Sequence, residues 1–121
     1  MAKILVVDDS PMILEYMGGF ITKFGHEPVL ASNGYEGLKA LKRNKDCVLV
    51  FADVHMPDMN GLAMVKKIIV NEGGFFPVVP IMMLTTEDDE NVQTMAQLAG
   101  VQGWLTKPLS PEKLKEILGT V

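Results

Sequence analysis

The chain contains a single cysteine and no long hydrophobic run, and these absences exclude several classes of protein. Cys47 is the only cysteine among 121 residues, so an internal disulfide and a cysteine-based metal cluster are both excluded. No apolar run approaches the ~20 residues that span a bilayer, and the N-terminus lacks the basic segment and apolar stretch of a signal peptide. We therefore expect a cytoplasmic protein that does not bind membranes.

A strong charge of either sign is also missing. The formal net charge is −4 with an isoelectric point near 5.1, and the lysines and arginines form no continuous run. Electrostatics therefore do not favour direct contact with nucleic acid or an anionic membrane. A length of 121 residues with 48% hydrophobic composition fits one compact domain, residues 1–121, which we expect to be monomeric.

Short apolar runs alternate with longer segments of helical period along the chain. The runs are Lys3 to Val7, Val29 to Ala31, Val48 to Ala52, Ile81 to Leu84 and Gly103 to Thr106. Between them, apolar residues recur at helical spacing, and Met12 and Met95 are among those expected to face inward. The alternation predicts an α/β fold of the (βα)5 type, with a doubly wound five-stranded parallel sheet.

Each of the five predicted helices follows a residue whose side chain can cap it: Ser10, Asn33, Asn60, Thr86 and Ser110. Glu87, Asp88 and Asp89 would occupy the first turn after Thr86, where the helix dipole favours carboxylates. We expect the last helix to run to Val121.

Charged and polar side chains stand where four of the predicted strands end. Asp8 and Asp9 follow the first strand, Asp53 the third, Thr85 the fourth and Lys107 the fifth. The carboxyl ends of parallel strands meet at one edge of a sheet, where open α/β folds place their sites. Strand ends favour aspartate without any function, but that explanation leaves Lys107 and Thr85 at the same edge unexplained.

Taken together, these residues resemble the receiver domains of two-component response regulators, especially the single-domain CheY-like chemotaxis proteins. The resemblance covers essentially the whole chain and is carried by Asp8-Asp9, the segment from Asp53 to Gly61 (DVHMPDMNG), Thr85-Thr86-Glu87 and Lys107-Pro108. It implies a flavodoxin-like, CheY-like strand order of 2-1-3-4-5. It also implies that a sensor histidine kinase phosphorylates Asp53 and that phosphorylation changes the binding of a downstream target protein, for which the flagellar motor switch is a candidate. A phosphatase is a further candidate partner.

The three carboxylates suit a hard cation, because crowded carboxylates repel one another unless a cation intervenes. Mg²⁺ is the expected cofactor, since it favours carboxylate oxygens and commonly bridges to phosphate. The resemblance implies that Asp9, Asp53 and the backbone carbonyl of His55 ligate the metal directly, while Asp8 acts through water.

Phosphoryl transfer requires an in-line nucleophile and charge on the equatorial oxygens. Asp53 is the expected nucleophile, Lys107 supplies positive charge and the Thr85 hydroxyl donates a hydrogen bond. The product is an acyl phosphate that water hydrolyses, so the modification is reversible. The resemblance further implies that Thr85 moves towards the phosphoryl group and that Trp104 turns inward; the alternative is a Trp104 that stays packed in one place.

Other functions fit the residues less well or remain open. A flavodoxin-like electron carrier is disfavoured because Asp8 and Asp9 would repel a flavin phosphate. An aspartate-nucleophile phosphatase would need an acid where His55 stands, so we expect no enzyme beyond self-catalysed phosphotransfer and dephosphorylation. A phosphate sink, a phosphorelay intermediate and a receiver fragment of a larger, for example transcriptional, regulator all stay open beside the preferred role in chemotaxis.

Overall fold

The computed structural model describes residues 2–86 and 90–121. The strands are Lys3–Val7 (β1), Glu27–Ala31 (β2), Cys47–Asp53 (β3), Ile81–Thr85 (β4) and Gly103–Thr106 (β5). The helices are Pro11–Lys23 (α1), Gly34–Arg43 (α2), Gly61–Val70 (α3), Glu90–Ala99 (α4) and Pro111–Leu118 (α5), with a short 3-10 turn at Glu72–Gly74. This element order confirms the predicted alternation of strands and helices.

The five strands form one parallel sheet in the order β2-β1-β3-β4-β5. The predicted fold and strand order are therefore confirmed. The register pairs Asp53 with Leu84 and Thr85 with Thr106, so the last residues of β3, β4 and β5 lie along one edge. That edge carries the polar side chains that the sequence places at strand ends.

Apolar layers cover both faces of the sheet. Alternate residues of β1 point to opposite faces, with Ile4 and Val6 in one layer and Leu5 and Val7 in the other. Helices α1 and α5 cover the first layer, and α2, α3 and α4 cover the second. A strand that is buried on both faces needs an almost continuous apolar sequence, which explains the KILVV run of β1.

Four of the predicted helix caps are present as side-chain hydrogen bonds. Ser10, Asn33, Asn60 and Ser110 each accept a hydrogen bond from the backbone N–H three residues later, over 2.8 to 3.3 Å. Each bond satisfies an N–H that the first turn of the helix would otherwise leave without an acceptor. The expected first turn at Glu87, Asp88 and Asp89 lies outside the described residues.

Three expectations about the helices are wrong. Met12 and Met95 are exposed rather than inward, because a helical period identifies an apolar stripe but not where its buried part ends. Helix α5 stops at Leu118 instead of reaching Val121. The last α-helical bond runs from the Gly119 N–H to Lys115 O, whereas the N–H groups of Thr120 and Val121 donate to Ile117 O and Leu118 O, only three residues back, so the helix ends in a turn. The Thr120 hydroxyl also donates to Ile117 O at 2.7 Å, which helps to satisfy that terminal carbonyl.

None of the helices in the described part of the chain is long and apolar enough to cross a membrane.

Candidate functional site

Three aspartates meet at the carboxyl edge of the sheet. Asp8 and Asp9 directly follow β1, and Asp53 is the last residue of β3, the neighbouring strand. Each of the three offers a carboxylate oxygen, and these oxygens lie within 4.8 Å of one another. Asp8 and Asp53 are buried whereas Asp9 is exposed, so the cluster opens to solvent on one side.

Lys107 faces this cluster from the end of β5. Its ammonium Nζ lies 2.8 Å from Asp8 Oδ2 and 3.5 Å from Asp53 Oδ1. The backbone N–H of Lys107 donates to Thr85 O at 2.7 Å, which fixes the chain directly after β5 against the end of β4. The Lys107-Pro108 peptide bond is cis.

The environment of Asp53 disfavours its charged form. Burial, followed by repulsion from Asp8, raises the pKa of the Asp53 carboxyl from 3.8 to about 6, while the Lys107 ammonium opposes the shift. The backbone N–H of His55 also donates to Asp53 Oδ1, over a long 3.4 Å. A further cation at this edge would therefore favour the ionised form of Asp53.

Thr85 is buried at the end of β4, beside Asp53 on the adjacent strand. Trp104 lies on β5 opposite Met83 of β4 and is half-buried against the apolar layer that α4 covers. The structure thus brings Asp8, Asp9, Asp53 and Lys107 together, whereas Trp104 sits further back along β5. The His55 side chain is exposed.

Two residues contribute to the site in ways that the sequence analysis did not predict. The Ser10 N–H donates to Asp8 Oδ1 at 2.9 Å and so orients the buried carboxylate. Gly61 packs so closely on β3 that a Cβ there would collide with the Asp53 carbonyl oxygen. The bond from the Ser10 N–H could have been predicted, because an aspartate side chain often accepts from the N–H two residues later. The close contact of Gly61 could not, because it depends on where α3 packs against β3.

The chemistry of the donor set fits a divalent cation with a preference for oxygen. The cluster offers three carboxylates, two of them buried, and it contains neither histidine nor cysteine. Hard cations such as Mg²⁺ and Ca²⁺ take oxygen ligands of this kind. Repulsion between Asp8 and Asp53 is the physical reason that a cation would stabilise this arrangement.

The fold and this site agree with what comparison with known proteins finds. Residues 4–119 match the response regulator receiver domain family. The chain belongs to this family. It is 38% identical to a chemotaxis protein CheY homolog of Campylobacter jejuni, over 98% of this chain and 93% of that protein. It is 39% identical to chemotaxis protein CheY1 of Helicobacter pylori, over 98% of this chain and 95% of that protein.

A solved receiver structure has the same architecture. Chemotaxis protein CheY4 of Vibrio cholerae matches with a TM-score of 0.88 and 35% identity, covering 100% of this chain and 98% of that one. The resemblance inferred from the sequence is confirmed, and with it the expectation of a phosphorylatable switch of two-component signalling. Receiver domains and the CheY relatives are signalling proteins, which is the class of function expected from the sequence.

Proposed function

We propose that the chain is a Mg²⁺-dependent receiver switch in which a sensor histidine kinase transfers a phosphoryl group to Asp53. The observation that carries the proposal is the Lys107 ammonium, which lies within 3.5 Å of the Asp53 carboxylate at the carboxyl edge of a receiver fold. Asp53 Oδ attacks the phosphorus of the donor, the bond from phosphorus to the kinase histidine breaks, and an acyl phosphate forms on Asp53.

Asp53 is a better nucleophile than its two neighbours. Both oxygens of Asp8 accept short hydrogen bonds, at 2.9 Å from the Ser10 N–H and at 2.8 Å from Lys107 Nζ. The contacts of Asp53 Oδ1 with His55 N and Lys107 Nζ are longer, at 3.4 and 3.5 Å. Asp9 is exposed to water, which solvates its carboxylate. Asp53 therefore lies among charged groups, as Asp8 does, but its contacts with them are longer than those of Asp8.

Lys107 and Thr85 would stabilise the charge that develops on the phosphoryl oxygens. The ammonium is a compact positive charge already held beside Asp53, so little reorganisation is needed when the phosphoryl group arrives. Mg²⁺, held by Asp9, Asp53 and the His55 carbonyl with Asp8 acting through water, would supply the remaining positive charge. The Thr85 hydroxyl, at the end of the adjacent strand, is the proposed hydrogen-bond donor to a phosphoryl oxygen.

The signal would leave the site through Thr85 and Trp104. Thr85 ends β4, and Trp104 lies on β5 opposite Met83, two residues before Thr85. Movement of Thr85 towards the phosphoryl group would change the space beside β5 that the indole can enter. The rotation of Trp104 is the proposed event that alters the surface seen by a target.

Chemotaxis is the proposed pathway, with a flagellar motor switch as the candidate target and the cytoplasm as the compartment. The support is that the relatives at 38% and 39% identity are chemotaxis proteins of which this chain covers 93% and 95%. That coverage also supports a single receiver domain over residues 1–121. A phosphate sink, a phosphorelay intermediate and a receiver of a larger regulator use the same chemistry and differ only in where the signal goes after Asp53 is phosphorylated.

The experiment that tests the proposal is incubation with a small acyl-phosphate donor, followed by intact mass measurement. We expect one phosphoryl group per chain in the presence of Mg²⁺, and none with a chelator or in Asp53→Asn. Asp58→Asn is the matched control, since Asp58 is an exposed aspartate of the loop after β3. Equal labelling of Asp53→Asn and the wild-type protein would contradict the proposal.

A further inference from the structure

An apolar groove lies between α3 and α4, away from the carboxylate cluster. Its volume is about 630 Å³, and its walls include Leu62, Ile69 and Val70 of α3 and Met95 and Leu98 of α4. Val70 is 65% exposed and Leu98 83% exposed, which is unusual for large aliphatic side chains that lie close together. Clustered apolar exposure of this kind marks interaction sites more often than isolated exposed residues do.

The charged side chain that lines this groove is a lysine, although the chain as a whole is negative. Lys66 lines the groove and forms no ion pair with any residue in the ranges 2–86 and 90–121. On the other side of α3, a second groove of about 540 Å³ shares Lys66 and adds Lys42, Lys67 and Glu72. Three lysines and one glutamate therefore surround the α3 ridge, and Lys66 pairs with no carboxylate of the described chain.

The shape of the groove suits a helix. Its two walls, α3 and α4, are ten residues long each, which corresponds to about 15 Å at the rise of an α-helix. A partner helix of about three turns would lie along that length and place apolar side chains between the walls. A carboxylate at the edge of such a helix would reach Lys66.

We propose that the α3–α4 groove docks an amphipathic helix of a partner protein that carries an acidic residue opposite Lys66. The occupant is a different protein rather than a second copy of this chain. In a two-fold dimer the same patch meets itself, and a contact centred on this groove would bring two Lys66 ammonium groups together. The docking requires no phosphoryl group and therefore does not depend on the function proposed above.

The test is selection from a phage-displayed library of 16-residue amphipathic helices on the immobilised, unmodified protein. The library varies the apolar positions and carries either glutamate or lysine at the centre of the polar face. We expect glutamate helices to be enriched on the wild-type protein and lysine helices on Lys66→Glu. For a selected glutamate helix, fluorescence anisotropy should show about tenfold weaker binding to Lys66→Glu, since an attractive contact becomes repulsive.

Two further variants separate this groove from the rest of the surface. Leu98→Ser should weaken binding of the same helix, whereas Lys113→Glu on α5, on the opposite face of the sheet, should leave it unchanged. Both side chains are exposed, so both variants should fold. The proposal would be overturned if glutamate and lysine helices were enriched equally on the wild-type protein, or if a selected helix bound Lys66→Glu as tightly as the wild-type protein. It would also be overturned if the wild-type protein enriched no more helices than Leu98→Ser does. Concentration-dependent dimerisation that Leu98→Ser abolishes would also overturn it, since the occupant would then be a second copy.

Discussion

The ammonium of Lys107 lies 2.8 Å from Oδ2 of Asp8, although 99 residues separate the two in the chain. The contact joins the ends of β1 and β5, which are not neighbours in the sheet, across the carboxylate of Asp53. It balances one of the two buried negative charges at this edge and leaves the other, on Asp53, only partly balanced.

Removing the ammonium should destabilise the protein. Lys107→Met leaves Asp8, whose side chain is fully buried, without its ion partner. Breaking a buried ion pair by removing one member costs about 3–5 kcal/mol, and partial exposure of Lys107 lowers the expected loss to about 2–3 kcal/mol. Urea unfolding in a chelating buffer measures the loss. Lys113→Met, at an exposed position, is the control and should change the free energy of unfolding by no more than about 0.5 kcal/mol.

Asp53 should make the stability of the metal-free protein depend on pH. Its pKa is about 6 in the folded protein, above the ordinary 3.8, so the folded state binds the proton more tightly than the unfolded state. The resulting stabilisation is complete below about pH 4 and is lost as the pH rises to about 6. By pH 7, Asp53→Asn should therefore be more stable than the wild-type protein by about 1–2 kcal/mol, after allowance for solvent screening at the open edge.

Thermal or urea unfolding of both proteins between pH 4 and pH 8, in a chelating buffer, checks this prediction. The free energies of unfolding should converge towards pH 4. Asp58→Asn, an exposed control in which asparagine tolerates the same positive φ, should follow the wild-type curve. A constant difference between Asp53→Asn and the wild-type protein at all pH values would contradict the raised pKa.

Mg²⁺ should bind through the exposed member of the cluster. Asp9→Asn should weaken Mg²⁺ binding by at least about tenfold, because even the loss of an outer partner of a metal site costs that much. Titration calorimetry gives the affinity, with Asp58→Asn as a carboxylate control outside the cluster. Unchanged Mg²⁺ affinity in Asp9→Asn would show that this carboxylate is not a ligand.

Gly61 should be intolerant of a side chain, because a methyl group would collide with the Asp53 carbonyl oxygen. We expect Gly61→Ala to lower the free energy of unfolding by about 3 kcal/mol, at the upper end of the cost of overpacking. Gly19→Ala is the matched control in α1, where a Cβ meets no atom within 4 Å. It should stabilise the helix by about 0.5–1 kcal/mol, the usual advantage of alanine over glycine.

Trp104 should report phosphorylation through Thr85. It is the only tryptophan, so its emission can be assigned without ambiguity. We expect an acyl-phosphate donor with Mg²⁺ to change the emission of the wild-type protein. Thr85→Val keeps the shape of the side chain but lacks the hydroxyl, so this variant should accept the phosphoryl group with a much smaller change in emission. An equal change in Trp104 emission in both proteins would show that the Thr85 hydroxyl does not transmit the effect of phosphorylation to Trp104.

Much of the fold and of the candidate site could be predicted from the sequence. Strands such as β1 are buried on both faces, which requires a continuous apolar run, and residues such as Asn60 cap helices through a local hydrogen bond. Because all strands are parallel, the residues that follow β1 and β5 and the residue that ends β3 had to meet at one edge. Local chemistry and topology together thus placed Asp8, Asp53 and Lys107.

The features that the sequence could not predict depend on distances between elements. The raised pKa of Asp53 results from the depth of burial and the nearness of Asp8, and neither is encoded in spacing along the chain. The exposure of Met95 was missed because α4 buries only Ala96 among its described residues, so its apolar stripe is wider than the face it covers. The apolar side chains of α4 that remain exposed, among them Met95 and Leu98, form one wall of the α3–α4 groove.

The measurement that tests the central claim most directly is the location of the phosphoryl group among the three aspartates. The protein is phosphorylated with an acyl-phosphate donor and Mg²⁺, reduced with borohydride, which converts an aspartyl phosphate to homoserine, and sequenced by tandem mass spectrometry. We predict homoserine at position 53 and unchanged aspartate at positions 8 and 9. Homoserine at position 8 or 9 with intact Asp53, or a stable phosphate on a hydroxyl residue, would contradict this account of the site.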